Sequence, residues 1–363
     1  MNARSGPAVL DRRTRLLRAL TRATVDRAPV ICTGGNMSAA PAAVVRLSGF
    51  SLPQAHTDPL AMAGLALAAA RLTGFESVGV PLCTTVEAEV FGAPVLLGDE
   101  VTEARVTKEP SPDCDAVPRL AVAERLRLGR VQTSVAAVRE LARTAGDLPI
   151  IANLIGPVSV AASVVEPLAF YRELIQNPLA AQDLVAHINE FLIAWAGELV
   201  AAGADAVAIH EDSATPALIG PRVFERITLP ALETLITAIQ GCGAPVLLHM
   251  CGALGRAEGL VARLRCKPFI PDASLGVAEL RERLPHLAIV GNLSTFLLHL
   301  GEREQIADIA ARLIRDGVDC LAPTCGMSSL TPLANIRAMT GAVTGAHTGA
   351  VSRPGPAIQE CFR

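Results

Sequence analysis

Residues 206–211, Ala206-Val207-Ala208-Ile209-His210-Glu211, and residues 245–251, Pro245-Val246-Leu247-Leu248-His249-Met250-Cys251, are short apolar runs with polar ends, spaced one helix length apart. Such runs, closed by Gly, Pro or a polar residue, read as buried parallel strands. Six more follow the same pattern: 29–33, 77–83, 149–154, 268–271, 288–292 and 320–325, of which 268–271 is the least marked. Between most of them lie helix-length segments with apolar residues three and four apart, such as 178–201 and 302–316. Strands alternating with helices mean parallel βαβ units, and eight of them predict an α/β fold, a closed (β/α)8 barrel of the TIM type. An open doubly wound sheet is the alternative. Its phosphate-cradling G-x-G-x-x-G turn is absent, because the turn after the first strand reads Gly34-Gly35-Asn36-Met37.

Working outward, residues 1–28 form a basic lead-in predicted to be helical. Residues 87–118, with Gly92-Ala93-Pro94, Gly98-Asp99-Glu100 and alternating Val and Thr, predict a β-hairpin inserted after the second strand. No repeat or flexible linker interrupts the chain, so 1–363 is read as one barrel domain. Hydrophobic residues make up 51% and charged residues 18%, enough for a large core. The net charge of -3, with no basic tract, argues against nucleic acid as a partner. The mean hydropathy of +0.40 raises the question of a membrane. The apolar stretch 149–165 contains Asn153 and the helix-breaking Gly156-Pro157, and no membrane span is expected from it. Arg4, Arg12, Arg13 and Arg15 are followed by no uninterrupted apolar core, so no secretory signal is read and a cytoplasmic protein is expected. Its nine cysteines are then reduced, buried or metal-bound rather than paired. The oligomeric state is open, a homo-oligomer included.

In barrels of this type chemistry sits at the C-terminal ends of the strands. Side chains alternate along a strand, so His249 and Cys251 point the same way, one pleat apart. Cys325 closes the eighth strand, Ala322-Pro323-Thr324-Cys325-Gly326, on the same rim. One imidazole and two thiolates form a zinc set that leaves the fourth tetrahedral position free. The competing reading is a buried histidine with two unrelated small apolar cysteines.

Several blocks then carry a resemblance. They are 29–37 (PVICTGGNM), 55–58 (AHTD), 74–89 (GFESVGVPLCTTVEAE), His249-Met250-Cys251-Gly252, Gly291-Asn292, 321–326 (LAPTCG) and 331–336 (TPLANI). In this order, across roughly residues 10–345, they resemble the uroporphyrinogen-decarboxylase superfamily, in its methylcobamide:coenzyme M methyltransferase branch. The resemblance implies zinc on His249, Cys251 and Cys325. It implies a methylcorrinoid, carried by a separate corrinoid protein, as methyl donor, and a small thiol such as coenzyme M as acceptor. Decarboxylating members of the superfamily hold their polycarboxylate substrate through an Arg-rich segment after the first strand. Here residues 32–45 carry no Arg or Lys, so those counter-charges are missing. Cobalamin-independent methionine synthase also has a His-x-Cys…Cys zinc, but this chain has no second, duplicated barrel. The alternatives are a corrinoid-dependent methyltransferase with a non-thiol acceptor such as a folate, a decarboxylase of the family's other kind, and a non-catalytic barrel that holds a corrinoid or thiol.

Other candidates rest on position. Gly34 and Gly35 allow a close backbone approach, either to a corrin or within a tight βα turn. Asn36 and His56 are candidates to line the cavity, with an exposed loop histidine as the plainer reading. Glu87 and Glu89 either aid docking or are solvated hairpin charges. Asn292 is placed to orient a ligand by a hydrogen bond. Asp205 is read as capping the turn before the fourth strand. Where the branch shows an Ala-Asp-Pro-like run, this chain has Ile209-His210-Glu211-Asp212-Ser213. Strand alternation lets one of Glu211 and Asp212 face the rim, and Asp212 is expected to do so, as fourth ligand or as acceptor of the thiol's proton; the competing reading pairs both carboxylates with Arg residues on adjacent loops. Residues 274–276 lack the acid often found after the sixth strand.

Overall fold

Ile150-Ile151-Ala152-Asn153-Leu154-Ile155 is buried along almost its whole length, as a strand covered on both faces must be. In the computed structural model, which describes residues 9–34, 40–252, 254 and 258–344, this strand is β4 of a parallel sheet. In chain order the strands are β1 (Val78–Val80), the pair β2 (Val95–Leu96) and β3 (Arg105–Val106), β4 (Ile150–Ile155), β5 (Ala206–His210), β6 (Val246–His249), β7 (Pro268–Ile270) and β8 (Ala288–Ile289). The main sheet runs β1-β4-β5-β6-β7-β8, every pair parallel.

Single bridges carry the sheet round into the (β/α)8 barrel. Val290 pairs with Cys320, Leu293 with Pro323, and Leu321 with Val30. Ile31 N donates to Leu321 O and Leu321 N to Pro29 O, both at 2.9 Å. On the far side of that first segment, Glu76 N donates to Val30 O at 2.8 Å. The Ser77 hydroxyl donates to Cys32 O and accepts from Cys32 N. The first and eighth segments are thus bridges rather than full strands, but they stand where the sequence places them.

The two glycines at this seam allow the contact. A Cβ on Gly79 would lie 1.8 Å from Thr33 O, and one on Gly34, whose φ is +83°, would lie 2.8 Å from Gly79 Cα. The backbone that comes close to Gly34 is therefore another strand of the barrel. Gly35 and Asn36 lie outside the described residues.

At the opposite, N-terminal ends of the strands lies the helix Arg12–Leu20, capped by Asp11. Its Arg13 meets Asp205 just before β5, and Arg15 meets Asp26 and Glu76, the latter just before β1. Asp205 also accepts Ile150 N at 2.8 Å. The antiparallel β2–β3 hairpin follows β1, but the segment begins with a short helix, Val86–Val90, rather than an extended arm. Pro178–Ala202 is long and apolar enough to cross a bilayer by length and composition. It packs against the helices Val131–Thr144 and Leu229–Gly241 and buries Leu184, Ile188, Phe191, Trp195 and Leu199.

Candidate metal centre

β6 ends at His249, and Cys251 stands two residues further on. Cys325 follows the bridged segment 320–323 on the same rim. One ligand atom from each of these three residues falls within 4.8 Å of the other two. The Sγ atoms of Cys251 and Cys325 are 3.2 Å apart, and Cys251 Sγ is 3.4 Å from His249 Nε2. His249 is fully buried, while both cysteines are partly exposed. Among the described residues this is the one group of three or more His, Cys, Asp or Glu side chains close enough to share an ion.

The hydrogen bond between the two thiols, then burial and Asp212, push Cys251 up. The same hydrogen bond, with burial opposing and His249 assisting, pulls Cys325 down into the thiolate form. Burial pulls the His249 imidazole down, but Asp212 and Cys325 outweigh it and the net shift is upward. Two sulfurs and one imidazole nitrogen, each within 4.8 Å of the others, are a donor set of the kind that can hold a borderline cation such as Zn²⁺.

The loop after β7 holds this rim in place. Asp272 accepts Gly252 N at 3.1 Å, next to Cys251. Thr324, next to Cys325, donates from its hydroxyl to Pro271 O at 2.6 Å. Asn292 donates to Asp272 O and Leu275 O at 2.9 and 2.8 Å. Asn292 therefore positions the loop that braces Cys251. Asp272 is an acid at this rim that sequence reasoning missed, since it sought one at 274–276. The residue stands two positions earlier, straight after Pro271.

Glu211 and Asp212 lie just past the end of β5 and turn different ways. Asp212 is partly exposed, and its Oδ1 lies 3.3 Å from His249 Nδ1, on the nitrogen opposite the one that faces Cys251. Glu211 is fully buried and turned from the rim, accepting hydrogen bonds from the Ser159 hydroxyl and from Val158 N. Burial, with Asp212 adding to it, raises its pKa to about 7 against those hydrogen bonds. A second buried neighbour of His249 went unread in the sequence: His210 Nδ1 is 3.2 Å from His249 Nδ1. β5 and β6 pair in a register that sets these two histidines side by side. The available signal was a histidine, and before it Asn153, on strands otherwise wholly apolar.

The remaining candidates gather elsewhere. His56, on the short helix Gln54–Thr57, is buried rather than exposed. With Cys83, Leu82, Ala40 and Glu103 it lines a small pocket whose walls include none of the three residues His249, Cys251 and Cys325. Arg130 donates to Cys83 Sγ at 3.0 Å, to the Thr85 hydroxyl at 2.7 Å and to Glu89 at 2.8 Å. Glu87 is neither a hairpin charge nor solvated. It is buried, accepts Ile155 N at 2.7 Å, and burial lifts its pKa to about 7.

The uroporphyrinogen decarboxylase (URO-D) family profile matches residues 11–346. The methylcobamide:CoM methyltransferase MtbA of Methanosarcina acetivorans is 31% identical, over 90% of this chain and 95% of its own. The methylcobamide:CoM methyltransferase MtaA of Methanosarcina barkeri is 32% identical, over 91% and 96%. A solved methyltransferase from Methanosarcina mazei superposes with a TM-score of 0.86 at 29% identity, covering 93% of this chain and 99% of that one. The chain belongs to the uroporphyrinogen decarboxylase family, in the branch whose curated relatives are named methylcobamide:CoM methyltransferases.

Proposed function

We propose that this chain is a zinc-dependent methyltransferase that moves a methyl group from a methylated corrinoid, held on a corrinoid protein, to a small thiol such as coenzyme M. The observation that carries the reading is the convergence of His249, Cys251 and Cys325 on the rim of a barrel whose relatives bear that name. Bound there, zinc supplies the Lewis acidity that keeps an acceptor thiol deprotonated at neutral pH. His249, Cys251 and Cys325 hold it. The Asp272–Gly252 contact and the Thr324–Pro271 contact keep the two cysteines on one side of the rim. Asp212, the partly exposed carboxylate next to His249, accepts the proton that the thiol gives up on entering. The thiolate then attacks the methyl group: the S–C bond forms, the Co–C bond breaks, and its electron pair stays on cobalt. The products are a methyl thioether and cob(I)amide. The corrinoid protein docks over the C-terminal rim, where barrels present their reacting groups.

The test is demethylation of methylcobalamin, free or on a corrinoid protein, with a panel of small thiols and zinc-replete enzyme. Cob(I)alamin and a thioether are expected, with the corrinoid protein the better donor because docking orients the methyl group. If no thiol gives turnover above background with either donor, the chain is a binding barrel and not a methyltransferase.

A further inference from the structure

A line of buried polar groups runs behind His249 through the interior of the barrel. Asn153, on β4, is 3% exposed, and His210 and His249 are 0% exposed. The Asn153 side-chain nitrogen lies 2.8 Å from Thr33 O, 3.3 Å from Val80 O and 3.3 Å from Ile151 O. Carbonyl oxygens only accept, so this end of the amide is the NH₂ group, and the other end, Oδ1, is an acceptor. Oδ1 lies 3.1 Å from His210 Nε2, which must therefore carry a proton. A neutral imidazole with its proton on Nε2 keeps a lone pair on Nδ1. That lone pair lies 3.2 Å from His249 Nδ1, which must then be the N–H. The lone pair of His249 is left on Nε2, the nitrogen that faces Cys251 at 3.4 Å.

We propose that Asn153 and His210 are positioning residues that fix His249 in its Nδ1–H tautomer, so that Nε2 is presented as a ligand. The polarity of the whole line is set by main-chain carbonyls of the first segment, β1 and β4, which cannot reverse it. Asp212 Oδ1 lies 3.3 Å from the same His249 nitrogen as a charge contact, from a partly exposed side chain. The buried line fixes the tautomer independently of this contact. The inference rests on reading His249 as a metal ligand, and it adds the residues that prepare it.

The experiment is ¹⁵N NMR of histidine-labelled, metal-free protein, in which the ring nitrogens of seven histidines must be assigned. His210 is expected as the Nε2–H form and His249 as the Nδ1–H form. Finding either in the opposite tautomer overturns the proposal, and this measurement needs no variant to fold. Zinc affinity, read by competition with a chromophoric chelator, supplies the second arm. In an Asp212→Asn background, His210→Phe, which cannot accept, is expected to weaken zinc binding about 10- to 100-fold, the range for lost hydrogen bonds behind a metal ligand. His210→Gln, which accepts through Oε1, is expected to restore most of it. Equal affinity for the Phe and Gln variants overturns the proposal. Neither arm uses methyl transfer, so an inactive protein with both results intact would remove the proposed reaction and leave this line standing.

Discussion

Asp272 accepts the N–H of Gly252 at 3.1 Å, so the backbone next to Cys251 is held by the loop that follows a different strand. The same carboxylate accepts Ser274 N at 2.9 Å, and its own main-chain carbonyl is held by Asn292. Asp272→Ala removes the brace while leaving all three donors in place. Zinc affinity is expected to fall about tenfold, as for other lost supports of ligand geometry. Chelator competition reads this directly. An unchanged affinity would mean that Cys251 is placed by its strand alone.

Asp212 and Glu211 are neighbours with opposite surroundings. Asp212→Asn removes the charge facing His249 Nδ1, 3.3 Å away. It is expected to weaken zinc binding about 10-fold and to weaken thiol binding further, since the proton acceptor is lost as well. Glu211 faces Ser159 and Val158, so Glu211→Gln is expected to change zinc affinity by less than about threefold, the size left when no ligand contact is touched. Isothermal titration of zinc and then of thiol separates the two variants. Matching effects would refute the division.

The convergence of His249, Cys251 and Cys325 was legible because a period of two is strict. A His-x-Cys pair at a strand end must share a face, and an eighth strand must return to the same rim. The acids were less legible, because sequence position alone does not say which way a loop residue turns. Glu87 reads as a docking group or a solvated hairpin charge, yet it lies in a helix start and its carboxylate accepts Ile155 N in the interior. Asp272 stands straight after Pro271, two positions ahead of 274–276, where the acid was expected. Gly34 reads as making room either for a ligand or for a tight βα turn, and the close neighbour is the backbone of Gly79. The pairing of Asn153 with His210 was not legible, since a polar side chain inside an apolar strand becomes meaningful only once its partners across the barrel are known.

The seam gives a stability prediction. Any side chain at position 79 would meet Thr33 O at 1.8 Å, and that neighbour is main chain, which cannot swing aside. Gly79→Ala is expected to cost several kcal/mol, at the upper end of about 1–3 kcal/mol for overpacking or beyond it. Thermal unfolding checks this. An alanine variant within about 2 °C of wild type would mean that the two strands do not approach as described, given that ~1 kcal/mol shifts Tm by about 2–4 °C in a chain somewhat smaller than this.

The cluster around Cys83 yields a pH dependence of known sign. Burial raises the Cys83 pKa, but the hydrogen bond from His56 and the charge of Arg130 outweigh it and bring the thiol down to about 6, from 9.0 when free. An acid whose pKa is lower in the folded chain adds stability that is fully present above its unfolded pKa and is lost as pH falls through its folded pKa. For Cys83 the contribution therefore grows between pH 6 and pH 9. Glu87, lifted to about 7, works in the opposite sense over its own range, from 4.5 upward, and has finished titrating by about pH 8. The upper half of the window thus belongs mainly to Cys83. Between pH 8 and pH 9 the unfolding free energy of wild type is expected to rise relative to that of Cys83→Ala, by up to about 1.4 kcal/mol per pH unit. Urea denaturation of both proteins at pH 7, 8 and 9, under reductant, measures it. Parallel lines across that range would mean that Cys83 stays a thiol beside Arg130, and the charge pairing inferred from their 3.0 Å contact would be wrong.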